Sequence, residues 1–175
     1  EYLNIIEEES LRLSDMATNV LNLAKVENQQ ILSNVSAFNL SEQVRNCFLQ
    51  LEDKWSGKNL DADFDFGEVQ ICGNEELLRQ VWLNLLDNAV KFTPYGGEVR
   101  IKIEEREDSV CVSVINTGST VAPENRERIF RKFFQEDRSH STKGNGIGLA
   151  VVRQIVNLHG GSVWVESGQD CTTFK

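Results

Sequence analysis

Three residues near the middle of the chain are spaced to act together. Asn84, Asn88 and Lys91 fall at i, i+4 and i+7, so in a helix they share one face. Leu78, Trp82, Leu85, Leu86, Ala89 and Val90 cover the other faces, so most of such a helix is expected to be buried. Two amides and an ammonium beside that much apolar surface need partners, because an unpaired polar group in an apolar setting costs about 2–7 kcal/mol. A hydrogen-bond network to neighbouring backbone meets the need. So does a polar ligand with a metal, the amide oxygens suiting a hard cation and the lysine a phosphate.

Three further stretches bear on that choice. Lys143-Gly144-Asn145-Gly146-Ile147-Gly148-Leu149-Ala150 places three glycines two residues apart at the entry of an apolar helix. Such a loop lets several N–H groups approach one anion, and the helix N-terminus adds positive potential. No Gly-Lys-Ser/Thr follows and no strand precedes, so it is neither a Walker loop nor a Rossmann turn; a purely structural loop is the other reading. Val114-Ile115-Asn116-Thr117-Gly118-Ser119-Thr120-Val121 runs an apolar strand out into a polar residue and a glycine. A ligand base could be read by hydrogen bonds there, or the chain simply turns. Arg128-Ile129-Phe130-Arg131-Lys132-Phe133-Phe134-Gln135 anchors three phenylalanines and leaves Arg131 and Lys132 for charge. They form either a solvated basic face or, with Lys91 and Lys143, a local basic cluster around phosphates.

The composition of the 175 residues, 40% hydrophobic and 26% charged, is that of a globular domain with a real core. A net charge of −9 argues against nucleic acid as the main partner. Cys47, Cys72, Cys111 and Cys171 have neither CxxC spacing nor histidine pairing, so they read as buried thiols in a reducing compartment. No apolar run approaches a membrane span and no signal peptide is present, so this stretch is expected to be cytoplasmic and free of membrane contact. The chain opens already in a helix and closes on a strand cut short, as expected for part of a longer protein.

Residues 1–29 read as one amphipathic helix. Leu3, Ile6, Leu13, Ala17, Val20 and Ala24 form a heptad seam, widened by Leu21, Leu23 and Val26. That stripe needs another helix or a second copy; alternatively the helix lies on the following domain. After a polar linker at 29–36, a strand at 37–40 leads into a helix with Ser41 as N-cap. Residues 60–66 alternate as a half-buried strand, and 69–72 form another. Asn74 caps the helix that carries the stripe, with Glu75 and Glu76 in its first turn. Strands at 98–105 and 109–115 form a hairpin, a helix spans 147–159, and strands at 162–166 and 172–175 close the chain. The fold class is α/β: a two-layer sandwich of a mixed β-sheet with helices on one face, preceded by the long N-terminal helix.

In this order and spacing the four stretches resemble the catalytic domain of sensor histidine kinases, in the ATPase superfamily shared with gyrase and MutL. Residues 84–94 look like the N box, 116–121 sit where the first glycine box belongs, 129–135 resemble the F box, and 143–150 match the second glycine box. Residues 1–29 resemble the second helix of the dimerisation and phosphotransfer hairpin. The first helix, with the phospho-accepting histidine, is missing; His140 and His159 lie elsewhere. Residues 30–175 would be the ATP-binding domain, with a lid at about 119–145.

The resemblance implies ATP and Mg²⁺ as cofactors. Asn88 would give an amide oxygen to Mg²⁺, with Asn84 beside it. Lys91 would meet a phosphate, Gly144, Gly146 and Gly148 would form the phosphate-facing loop, with Lys143 in the nucleotide-binding set, and Lys132 would reach the γ-phosphate. Asn84 and Lys132 form the catalytic pair, while Phe92, Asn116, Gly118, Ile147 and Leu149 complete the nucleotide-binding set. A response regulator and, in a full-length protein that could be membrane-anchored, a second copy are the implied partners. The family's first glycine box begins with Asp and holds a second Gly; here the positions are Asn116 and Thr120. Loss of the carboxylate charge is expected to cost about 1 kcal/mol or somewhat more of base binding, and Thr120 lacks glycine's backbone freedom. A degenerate kinase that signals with weak nucleotide binding, or none, is thus the alternative. A gyrase- or MutL-type ATPase fits less well, since that branch calls for Glu where this chain has Asn84.

Overall fold

The computed structural model describes residues 2–29, 31–135, 145–168 and 170–175. Its elements are α1 (Tyr2–Asn28), β1 (Ser36–Asn39), α2 (Leu40–Leu49), α3 (Glu52–Ser56), β2 (Asp61–Asp65), β3 (Gln70–Gly73), α4 (Glu75–Phe92), β4 (Glu98–Glu105), β5 (Val110–Thr117), α5 (Gly148–Leu158), β6 (Val165–Ser167) and β7 (Cys171–Phe174). Two short 3-10 turns, Pro123–Asn125 and Arg128–Phe130, lie between β5 and α5.

Five strands form one mixed sheet in the order β2-β4-β5-β7-β6. β2 joins β4 in parallel, and the remaining pairs are antiparallel. Val99, Ile101, Ile103, Val114, Val165 and Phe174 are buried on the face covered by the helices. Alternate residues point away, where Arg100 bridges Asp63 and Glu98, and Lys102 bridges Asp65. This is the expected two-layer α/β sandwich: period-2 burial in the sheet meets the apolar faces of α2, α4 and α5.

α4 is tied down at both ends. Asn74 Oδ1 accepts from the Leu77 N–H at 3.0 Å, as a capping asparagine should. The Asn74 N–H donates to His159 Nε2 at 3.1 Å, and His159 Nδ1 lies 2.8 Å from the Ile155 carbonyl. The neutral ring protonated on Nδ1 satisfies both contacts and ties the end of α5 to the start of α4. At the other end Lys58 Nζ donates to the carbonyls of Val90, Lys91 and Thr93 at 2.7–2.9 Å. A cation there satisfies orphan carbonyls and offsets the negative helix end.

Several expectations are corrected. The N-cap of α2 is Asn39, whose Oδ1 accepts from Glu42 N–H, while Ser41 is fully buried and bridges Gly67 and Val69. Residues 61–65 are exposed throughout rather than half-buried, because among the described residues β2 is a sheet edge, paired with β4 on one side. β3 leaves the main sheet and pairs with β1 in a separate two-stranded ladder. Cys72 on that ladder is exposed, and Cys171 is partly so. Cys47 and Cys111 are buried as expected; desolvation pushes the Cys47 thiol up to about 11, which leaves it protonated and inert.

α1 divides its apolar surface. Leu23 and Val26 are buried against the domain, where α1 packs on α5. Ile6, Leu13, Val20 and Leu21 are 40–66% exposed. The end of the helix therefore lies on the domain, and the heptad seam faces outward.

Candidate functional site

Helix geometry places Asn84, Asn88 and Lys91 in one row along α4. Asn84 Nδ2 donates to the Gln80 carbonyl at 2.9 Å, which turns Oδ1 outward. That oxygen meets the start of α5: a Cβ added to Gly148 would lie 2.7 Å from Asn84 Oδ1. Only glycine allows so close an approach, so the amide stripe and the glycine-rich entry belong to one site. Gln80 extends the stripe by one turn, and its Oε1 is buried without a hydrogen-bond partner among the described residues.

The Asn88 side chain makes no hydrogen bond among the described residues. Lys91 is half-buried, and burial pulls its ammonium below the usual lysine range; Asp87 opposes this and Lys54 adds to it. Asp87 is itself paired with Lys54. Lys91 is thus a partly desolvated cation over the Phe92 ring, 4.9 Å from its centroid, and an approaching anion would stabilise it. Phe92 is exposed beside it.

The second wall comes from β5. Asn116 lies inside the strand rather than beyond it, paired with Val99 of β4 and Thr172 of β7. It shares the inward face with Val114 and is 2% exposed. Its Nδ2 donates to Ser119 Oγ at 2.8 Å. Thr172 Oγ1 donates to the Ser119 carbonyl at 2.8 Å, and the Gly118 N–H donates to the Asp170 carbonyl at 2.9 Å. Gly118 has φ of +76°, and a Cβ there would stand 2.4 Å from Pro94 Cδ. The strand end is therefore packed against the end of α4.

The phenylalanine segment closes the third side. Phe133 N–H donates to the Gly146 carbonyl at 2.8 Å, so this segment and the glycine loop are hydrogen-bonded. Phe130 is buried against Phe174, and Arg128 stacks over Phe134. Ile147 is fully buried, while Gly148 and Leu149 are half-buried at the first turn of α5. Lys132 points the other way: its Nζ is 2.5 Å from Glu27 Oε1 on α1, a pair that nothing in the sequence signals. Lys143 and Gly144 lie outside the described residues.

A cleft of about 680 Å³, lined by Gln43, Gln50, Glu75 and Arg79 among others, lies on the side of α4 away from the stripe. Its arginine is already bonded to Gln50, and it shares no residue with the site.

A mixed sheet covered on one face by helices, with an amide-lysine stripe against a glycine-rich helix entry, defines a class of ATP-binding domain. Residues 73–175 match the family described as Histidine kinase-, DNA gyrase B-, and HSP90-like ATPase, and the chain belongs to it. Sensor histidine kinase CusS of Escherichia coli O6:H1 is 34% identical over 169 residues, covering 95% of this chain and 35% of that protein. Full-length ShkA in complex with AMPPNP superposes with a TM-score of 0.82 at 29% identity, covering 99% of this chain and 37% of that one. Histidine kinase ThkA in complex with response regulator protein TrrA gives 0.80 at 30% identity, over 99% and 48%. The chain spans about a third of the length of the relatives it matches. Its fold is that of the histidine kinase catalytic domains.

Proposed function

We propose that the chain is the catalytic part of a sensor histidine kinase that moves the γ-phosphoryl of ATP to a histidine outside residues 1–175. The observation that carries this reading is the contact of Asn84 Oδ1 with Gly148, which joins the polar stripe to the anion-facing helix entry. Asn88 offers a hard amide oxygen with no competing partner among the described residues. Those residues contain no group of three His, Cys, Asp or Glu suited to a metal. A Mg²⁺ ion here would be held by Asn88 together with ligand oxygens and water, the arrangement this cation favours. It would supply charge neutralisation between phosphates. Lys91 adds a positive charge on the same row, and the glycine entry adds N–H groups and the helix dipole. Phosphoryl transfer needs this positioning and neutralisation more than covalent participation by the protein.

Residues 1–29 are proposed as one helix of a dimerisation hairpin, 30–175 as the ATP-binding domain, and 119–145 as its lid. The exposed Ile6, Leu13 and Val20 seam supports docking of a second copy in the whole protein. A response regulator as phosphate acceptor follows from the ThkA complex by analogy. No helix among the described residues is long and apolar enough to cross a membrane.

The test is a calorimetric titration with ATP and Mg²⁺, followed by transfer in trans to a helix bearing the acceptor histidine. Magnesium-dependent binding and phosphohistidine are expected. Absence of binding at millimolar ATP would overturn the proposal and leave a non-binding signalling module. Lys132 gives a separate expectation. Its pair with Glu27 is exposed, so Glu27→Gln should change stability by less than about 1 kcal/mol. Freed from Glu27, Lys132 should tighten ATP about twofold to fivefold and leave ADP unchanged; equal effects on both nucleotides would place the lysine away from the γ-phosphate.

A further inference from the structure

Asn116 is a polar side chain, 2% exposed, on the helix-facing side of the sheet and at the end of β5 that packs against Pro94. Its Nδ2 is bonded to Ser119 Oγ at 2.8 Å and lies 3.5 Å from the Thr117 carbonyl, at the limit of a hydrogen bond. No donor among the described residues reaches Oδ1. One edge of a buried amide is thus satisfied by a hydroxyl, and the other is left for a ligand between α4 and the strand end.

The hydroxyl partner decides what that ligand edge can be. A serine O–H donates as readily as it accepts. Turning the Asn116 amide by half a revolution keeps a hydrogen bond to Ser119, with the hydroxyl now donating to Oδ1. The two orientations show the site opposite faces: an acceptor in one, a donor in the other. Ser119 stays in place in both, since its backbone carbonyl is fixed by Thr172. An acceptor suits the 6-amino group of adenine. A donor suits the 6-oxo group of hypoxanthine or guanine. A carboxylate at position 116 could only accept, and it would repel a 6-oxo group.

We propose that the Asn116–Ser119 pair makes the base pocket tolerant at the purine 6 position, so that it takes 6-oxopurine nucleoside triphosphates as well as ATP. This rests on the nucleotide-binding reading above and extends it to the substrate class. Inosine triphosphate is the probe, because it differs from ATP only at position 6 and in the proton on N1. Magnesium-dependent dissociation constants for the two nucleotides are expected within about fivefold of each other. In Asn116→Asp, ATP should bind at least as tightly, which also shows that the pocket is intact. The inosine-to-adenosine ratio should rise by at least about tenfold, the effect of leaving a buried acceptor against an acceptor. ATP bound with inosine triphosphate refused more than about thirtyfold in the unaltered chain would overturn this inference alone. An unchanged ratio in Asn116→Asp would overturn it as well. Binding of neither nucleotide would remove it together with the nucleotide site itself.

Discussion

Asn88→Ala is expected to abolish phosphotransfer, lowering its rate by about a hundredfold to a thousandfold, the usual effect of losing one group aimed at the reacting charge. The same change should leave the fold nearly untouched. Asn88 is only half-buried and its side chain makes no hydrogen bond among the described residues, so its truncation should cost less than about 1 kcal/mol. Titration with ATP, with and without Mg²⁺, separates the roles. Loss of the magnesium-dependent part of binding is the expected signature. If Asn88→Ala binds and transfers as well as the parent, the cation is held elsewhere. Asn84→Ala is a different experiment, since that amide also supports the start of α5.

Gly118→Ala should be strongly destabilising. The residue sits at φ of +76°, a region that costs an L-residue about 1–2 kcal/mol. Its new methyl would also stand 2.4 Å from Pro94 Cδ and 2.5 Å from Cγ. Overpacking of that kind adds about 1–3 kcal/mol, so urea unfolding should show a loss of about 3 kcal/mol. Nucleotide affinity should fall more than tenfold, because the strand end that presents Asn116 and Ser119 must move. Pro94→Ala in the same chain should restore the steric share and leave the backbone share. Additive losses in the double variant would show that the two residues do not share a clash.

Much of this architecture could be read from local signals. α4, β4, β5 and α5 follow from apolar periodicity, the Asn74 cap and the glycines after α5, all set by neighbours a few residues away. The chemistry of the stripe was legible for the same reason: a helix alone brings Asn84, Asn88 and Lys91 together. What escaped the sequence is what depends on distant partners. The β1–β3 ladder lies apart from the main sheet, and no local pattern distinguishes its strands from sheet members. Asn39 and Ser41 are both good caps, and the choice is made by Gly67 and Val69, which claim the serine. Lys58 reads as one more surface lysine until the end of α4 arrives beside it. Lys132 is at the position expected of a phosphate-facing cation, yet its partner Glu27 lies on α1, more than a hundred residues earlier. The Asn116–Ser119 pair was half visible: the substitution was apparent, but the hydroxyl that lets the amide face either way was not.

The contact between Asn84 and Gly148 also bears on how the site opens. The stripe on α4 is assembled by secondary structure and persists as long as that helix does. Gly146 and Gly148 reach it only while α5 is docked. At the proposed site, a local unfolding event that lifts α5 would dissolve half of the binding surface and spare the other half. On the proposed reading, ligand affinity would measure how tightly two helices hold together, and a bound nucleotide would clamp a long-range contact of the domain.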